Sequence, residues 1–256
     1  MDELSLRALV VRVSDFGEYD KILTLLSEEK GIVSVSVKGG KSLKSKFSAL
    51  SEMFSYGVFN IRKTGKYYYL FDGELVEDFY ALRSDIVKLS LASYFCEVAT
   101  ALSPEGLADP ELLKLTLNAL YALCYMDTPK EIVKGAFEFK ASVLAGYMPE
   151  LDCCAVCNRD AAEMMYIDTR NGRLLCDSCL GLDSEVNGLE SVSILLPVPE
   201  GVLAAFRYLS ECPVKKFLSF RLADSERRDF EISSEKYLIN HLEREFYTLD
   251  FYKSVL

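Results

Sequence analysis

The sequence predicts a multi-domain α+β protein: a small five-stranded barrel first, helices after it, and a four-cysteine zinc-binding element set among the helices. Three observations carry that prediction. The first 78 positions read as short strand-like runs, one of them strictly alternating, with turn residues between the runs. From Phe79 the apolar spacing changes to every third or fourth residue. Four cysteines then fall in two Cys-x2-Cys pairs. The expected boundaries are 1–78 for the barrel, 79–149 for a helical domain, 150–182 for the cysteine element and 183–256 for a second helical part packed on the first.

Residues 4–13 are rich in Leu and Val, and residues 21–26 are apolar after a turn at Asp15-Phe16-Gly17-Glu18. Residues 32–37 place Val33, Val35 and Val37 against Ser34 and Ser36, the period of a half-buried strand. Runs at 53–61 and 67–76 follow, separated by Thr64-Gly65. Five strands in so short a stretch fit a small barrel. The third and fourth are joined by a long loop, about 15 residues, carrying Lys38, Gly39, Gly40, Lys41, Lys44 and Lys46. Loops of that length are more often functional or mobile than tight hairpins are.

Helical spacing runs from 81 to 102 and stops at Pro104. Asp109 followed by Pro110 and Glu111 marks a second helix start, running to about Met126. Thr128, Pro129 and Glu131 read as a capping box with proline at the first helical position, and that helix ends near Gly146. Residues 199–211 and 224–246 are helical again.

The metal signal is specific. Cys154-x2-Cys157 and Cys176-x2-Cys179 each place two thiolates on one tight knuckle, and two knuckles on adjacent hairpins complete a sulfur tetrahedron around zinc. Asn171-Gly172 supplies a hairpin turn between them. Four thiolates leave no open position, so the metal is expected to be structural. The ligands alone also admit a rubredoxin-like iron, and Cys153 offers an alternative pairing with Cys157; Cys154 makes both knuckles the same length. Cys96, Cys124 and Cys212 lie in apolar helical stretches and read as core thiols, and the lone His241 reads as a surface or packing residue.

The formal charge is -10, but its distribution is uneven. Residues 30–66 hold eight basic residues against the single acid Glu52. A basic face on an acidic chain suits a local polyanion site. Its candidates are Arg12, Lys38, Lys41, Lys44, Lys46, Arg62 and Lys66, with Phe47, Tyr67, Tyr68 and Tyr69 available for base stacking. In the run of three tyrosines, either Tyr68 or the Tyr67/Tyr69 pair must face the core. No catalytic constellation is present, so no enzyme activity is expected. No apolar run reaches bilayer length, and Met1-Asp2-Glu3 opens no secretory signal. The expectation is a cytoplasmic protein with no membrane partner.

Several stretches, taken in order, resemble the RecO family of bacterial recombination mediators. They are Ala8-Leu-Val-Val-Arg12, the run from Phe16 to Leu26, Gly31, Val37-Lys-Gly-Gly40, Lys44-Ser-Lys-Phe47, Glu77-Asp-Phe79 with Leu82-Arg83, and Gly146-Tyr-Met-Pro-Glu-Leu151. The resemblance implies that the barrel is an OB-fold, followed by a helical domain with an inserted zinc ribbon. It implies binding of single- and double-stranded DNA, strand annealing and a nucleoid-associated location. It implies action with RecR to help RecA displace single-stranded-DNA-binding protein, and a hold on that protein's acidic C-terminal tail in the helical domain. For the tail, Lys130, Lys134 and Phe137 recur at a spacing that shares one helix face. Two other readings stay open: a zinc-ribbon scaffold whose barrel binds a protein, and a thiol oxidoreductase using the Cys-x2-Cys pairs.

Overall fold

The alternating stretch forms five strands: β1 (Glu3–Phe16), β2 (Asp20–Ser27), β3 (Gly31–Val37), β4 (Tyr56–Thr64) and β5 (Tyr67–Glu77). They close into a barrel in the order β1-β2-β3-β5-β4, with β1 antiparallel to both β2 and β4 and β3 parallel to β5. Five strands closed in that order make the OB-type barrel. The computed structural model describes residues 3–42, 44–104, 106–180 and 194–256. Inward positions supply the core: Leu6, Ala8 and Val10 from β1, Leu23 and Leu25 from β2, Val33, Val35 and Val37 from β3, and Phe59 and Ile61 from β4.

The long β3–β4 loop is anchored rather than loose. Phe47 and Leu50 from that loop belong to the barrel core. Gly57 and Gly73 make room for Leu50, since a Cβ on Gly73 would stand 2.6 Å from its Cδ2. Phe54 adopts φ 70, and β4 begins only at Tyr56, three residues later than the alternation suggests. The side chain of Phe47 is therefore packing and is not available to stack on a base.

The helices begin with η1 (Tyr80–Ser84), a 3-10 turn, in place of the continuous helix expected from 81. Asp85 breaks the run and caps α1 (Ile86–Leu102), accepting from the N–H groups of Val87 and Lys88. Asp109 caps α2 (Pro110–Tyr125) through the N–H of Leu112, with Pro110 at its start. The capping box expected at Thr128 does not form. Pro129 occupies the N-cap of α3 (Lys130–Leu144) and no side chain caps it. A four-stranded sheet, in the order β6-β8-β7-β9, comes from β6 (Glu150–Cys154), β7 (Met165–Asp168), β8 (Arg173–Cys176) and β9 (Leu195–Val198). Then follow α4 (Glu200–Glu211), α5 (Arg227–Leu242) and α6 (Tyr247–Ser254). Glu243 at φ 48 ends α5, so the helix expected over 224–246 opens with a 3-10 turn at Asp224–Glu226 and stops at Leu242, and α6 lies beyond it.

The chain divides into two compact units. One is Met1–Met126 with Phe246–Leu256, joining α1, α2 and α6 to the barrel, whereas the alternation alone places a boundary at residue 78. The other is Asp127–Glu245. The boundary expected at 182/183 lies outside the described residues. In the second unit Phe139 stacks on Phe206 with centroids 4.1 Å apart, and Phe230 lies over Gly135, where a Cβ would stand 2.6 Å from its ring. Lys140 is buried and donates to the carbonyls of Leu209 and Cys212 at the end of α4. His241 stacks on Tyr147 and meets Tyr237 edge-on, a packing role. Among the described residues, no helix is long and apolar enough to cross a membrane.

Candidate nucleic-acid interface and metal centre

The tyrosine run resolves the alternation on β5. Tyr68 packs against the barrel core, so Tyr67, Tyr69 and Phe71 share the outer face. Cations lie over that face. Lys38 Nζ sits 5.6 Å from the Tyr69 ring, and the Arg62 guanidinium sits 4.9 Å from Phe71. Lys46 donates to the Phe71 carbonyl at 2.9 Å. Register explains the grouping: Arg62 opposes Tyr69 across β4–β5, and Ser36, two residues before Lys38, pairs with Tyr69 across β3–β5. Lys38, Lys46 and Arg62 are thereby tied to one face of the barrel, and Lys41 holds the neighbouring β1–β2 turn.

These cations have acidic partners that the sequence does not single out. Lys38 pairs with Asp20 at 2.6 Å, Lys41 with Asp15 at 3.2 Å and Arg62 with Glu3 at 2.8 Å. The bond to Lys38 holds the Asp20 carboxyl below the usual carboxylate range. Lys41 also donates to the Gly17 carbonyl, and its own N–H donates to the Tyr19 carbonyl, so the β1–β2 turn and the start of the β3–β4 loop form one piece. Lys44 and Lys66 are exposed, and among the described residues neither has an ion pair. Arg12 is exposed too, opposite Thr24 of β2, but it lies nine residues along β1 from Glu3, and the register does not bring it beside Arg62 or Tyr69.

The tail residues expected on α3 need correction. Lys134 and Phe137 are both fully buried. Lys134 Nζ lies 2.9 Å from Glu138, 2.8 Å from Glu235 and 3.8 Å from Glu231. Burial alone would push this amine down, but Glu138 and Glu235 outweigh it and hold it above the ordinary lysine range. The 3–4 spacing holds, but the shared face of Lys134 and Phe137 is the one packed inside the protein. Lys130 is partly exposed and is the only one of the three that reaches solvent.

The four paired cysteines come together into a group that could hold one metal ion. The Sγ atoms of Cys154, Cys157, Cys176 and Cys179 all lie within 4.8 Å of one another, with Cys157 and Cys176 3.7 Å apart. A zinc–sulfur distance of about 2.3 Å sets tetrahedral edges of roughly 3.8 Å, so the sulfurs fit one ion. Strands β6 and β8 run parallel and end together at Cys154 and Cys176, which brings the knuckles side by side without the two adjacent hairpins expected. Asn158, at φ 58, closes the first knuckle by donating its N–H to the Cys154 carbonyl. Asp168 orders the Asn171-Gly172 turn through the N–H groups of Arg170 and Asn171.

Burial pushes the Cys154 thiol up, but N–H groups of Cys157, Val156 and Cys176 outweigh it and hold the thiol down at about 6. Its partner Cys179 is pushed up to about 12, first by its bond to Cys176 and then by burial. Four sulfurs this close cannot all ionise without a cation between them. Cys153 lies outside the cluster; its thiol faces the Asn158 side chain at 3.9 Å. Cys96 and Cys212 are buried core thiols and Cys124 is half-buried.

Comparison with known proteins agrees along the whole chain. The family model Recombination protein O N terminal matches residues 1–79, and Recombination protein O C terminal matches residues 83–250. The DNA repair protein RecO of Acetivibrio thermocellus is 28% identical over 100% of this chain and 98% of its own length. That of Pelotomaculum thermopropionicum is 30% identical over 93% of this chain and 89% of its own, and that of an Anaeromyxobacter species 31% over 95% and 93%.

Proposed function

The chain belongs to the RecO family, and from that premise we propose that it is a non-enzymatic DNA-binding mediator of recombinational repair. The observation that carries the reading is the outer face of β5, where Lys38, Lys46 and Arg62 surround Tyr69 and Phe71. Cations take phosphates there and rings lie within reach of bases, the combination that single-strand binders on small barrels use. The proposed activity is to bind and anneal single strands and, with RecR, to help load RecA onto gaps coated by single-stranded-DNA-binding protein. The tail of that protein is a proposed partner, and of the three α3 residues only Lys130 reaches solvent to meet it. Zinc is the proposed metal, held by Cys154, Cys157, Cys176 and Cys179; bound there it supplies no open coordination position and serves to fix the β6–β8 end.

A scaffold reading, in which the barrel binds a protein, draws on the ion pairs that already neutralise Lys38, Lys41 and Arg62. Labelled complementary strands separate the two. The mediator reading expects tight single-strand binding at low salt, faster annealing with protein than without, and a further gain with RecR. Protein that neither binds nor anneals the strands at low salt would remove it.

A further inference from the structure

Asp20, the first residue of β2, grips two donors of the basic face at once. Its Oδ2 accepts from Lys38 Nζ at 2.6 Å, and its Oδ1 accepts from the Gly39 N–H at 2.9 Å. Those two bonds, with the charges of Lys38 and Lys41 beside them, hold its carboxyl below the usual range. A lysine ammonium and a glycine N–H converging on one anion are also the donors that a phosphate oxygen takes. Gly39 has φ 65, and no atom stands within 4 Å of the place a Cβ would fill, so the backbone is open to a ligand on that side. The pair is not isolated. Asp15 lies 3.2 Å from Lys41, and Glu3 accepts from the Nε and Nη2 of Arg62 at 3.0 and 2.8 Å. Three carboxylates from β1 and the first residue of β2 thus cover three cations that follow them in the chain. One exposed ion pair needs no explanation. Three of them on the cations of a proposed polyanion site do.

We infer that Asp20 is an affinity-determining residue: its carboxylate occupies a phosphate position between Lys38 and the Gly39 N–H, and a bound strand displaces it. The inference rests on the DNA-binding reading and deepens it, because it assigns what that face holds when no DNA is present. The exchange has a definite sign. A strand that reaches Lys38 gains a phosphate contact and breaks the Asp20 pair, so the net gain is smaller than at a cation with no carboxylate on it. Lys44 and Lys66 are such cations among the described residues. A strand held there is tethered, and its next phosphates meet Lys38 at a high effective concentration. A single small anion has no such tether and must displace Asp20 alone.

The test uses the full chain and a labelled oligo-dT strand at low salt. Asp20→Asn keeps an oxygen for the Gly39 N–H and removes the negative charge from Lys38. It should bind oligo-dT roughly two- to five-fold more tightly than the parent, the scale of one exposed ion pair. Two controls separate a local exchange from a change in net charge. Glu18→Gln loses the same charge two residues away, where the carboxylate meets the Tyr19 hydroxyl. It should gain less than Asp20→Asn. In a Lys38→Met background, Asp20→Asn should gain no more than that control. Binding by Asp20→Asn at the parental level would overturn the inference. Weaker binding would overturn it too, and would make Asp20 a residue that positions Lys38 for DNA. A gain equal to that of Glu18→Gln, or undiminished in the Lys38→Met background, would assign the effect to net charge and overturn displacement. Melting of each variant shows whether a change is one of folding. The parent alone gives a second measurement. Its Asp20 carboxyl, followed by carbon NMR against pH, should titrate below the usual range when free and at a higher pH when oligo-dT is bound, because the Lys38 bond is lost. A midpoint unmoved by oligo-dT would overturn displacement without any substitution. Parent protein that binds no oligo-dT would overturn the DNA-binding reading itself, and the inference with it.

Discussion

Lys134 shows how a correct helical spacing can mislead about a site. Its spacing with Lys130 and Phe137 places the residues as the sequence suggests, but Glu231 and Glu235 arrive from α5, about a hundred residues later. No local pattern announces that meeting. Removing the cation leaves Glu138 buried beside two further carboxylates, and breaking such a buried pair costs about 3–5 kcal/mol. Lys134→Met should therefore melt well below the parent in a thermal unfolding experiment, and an unchanged melting point would show that the cluster contributes nothing. The single histidine gives a cleaner reading of pH. Burial against Tyr147 and Tyr237 lowers the pKa of His241 below its ordinary 6.5, so the folded state prefers the neutral ring. Its stabilising contribution is then complete above the unfolded pKa and is lost as pH falls through the window below it. One imidazole signal followed by NMR should titrate below 6.5; a midpoint at or above that value would mean the ring is not shielded.

Elements with local signals are the most legible. Asp109-Pro110 specifies the start of α2, and Asn171-Gly172 specifies the β7–β8 turn. The four ligands are legible because the thiolate spacing is itself the geometry of the knuckle. What fails needs information from further away. Pro129 takes the N-cap of α3 in place of Thr128, and Glu243, by entering the left-handed region, ends α5 short of the expected residue 246. The β3–β4 loop reads as functional or mobile from its length, and its anchoring to the core by Phe47 and Leu50 is not legible there, because Leu50 finds its place only once β4 and β5 present Gly57 and Gly73. A structural zinc of the kind proposed for the cysteine element couples metal binding to folding. Cys176→Ser should lose the metal and unfold residues 150–176 locally, seen as lost metal by elemental analysis and new proteolytic cleavage there. Cys153→Ser should keep one zinc per chain; loss of zinc from that variant would mean the ligand set is wrong.

At the scale of the whole molecule, a chain of net charge -10 has to bind a polyanion. Charge is segregated: residues 30–66 are strongly basic, while the acids accumulate after residue 66. Around the basic region Asp15, Asp20 and Glu3 already occupy Lys41, Lys38 and Arg62, so a phosphate contact proposed for any of them must displace a carboxylate. That competition favours modest affinity. The barrel's closure brings the cations and outer rings together from the end of β3, the β3–β4 loop, β4 and β5, a grouping visible only once the strand order is known.

Everything proposed for the barrel depends on DNA lying on this basic face. Single-strand affinity followed against salt, for the parent and for the Lys41→Glu, Lys44→Glu, Lys46→Glu variant, probes that placement without intermediary. Each lost single-strand phosphate contact removes about 0.7 from the slope of log affinity against log salt, so the triple variant should bind all sequences more weakly and flatten the slope by roughly two units. A variant that keeps the parental slope would place the DNA elsewhere and refute the assignment.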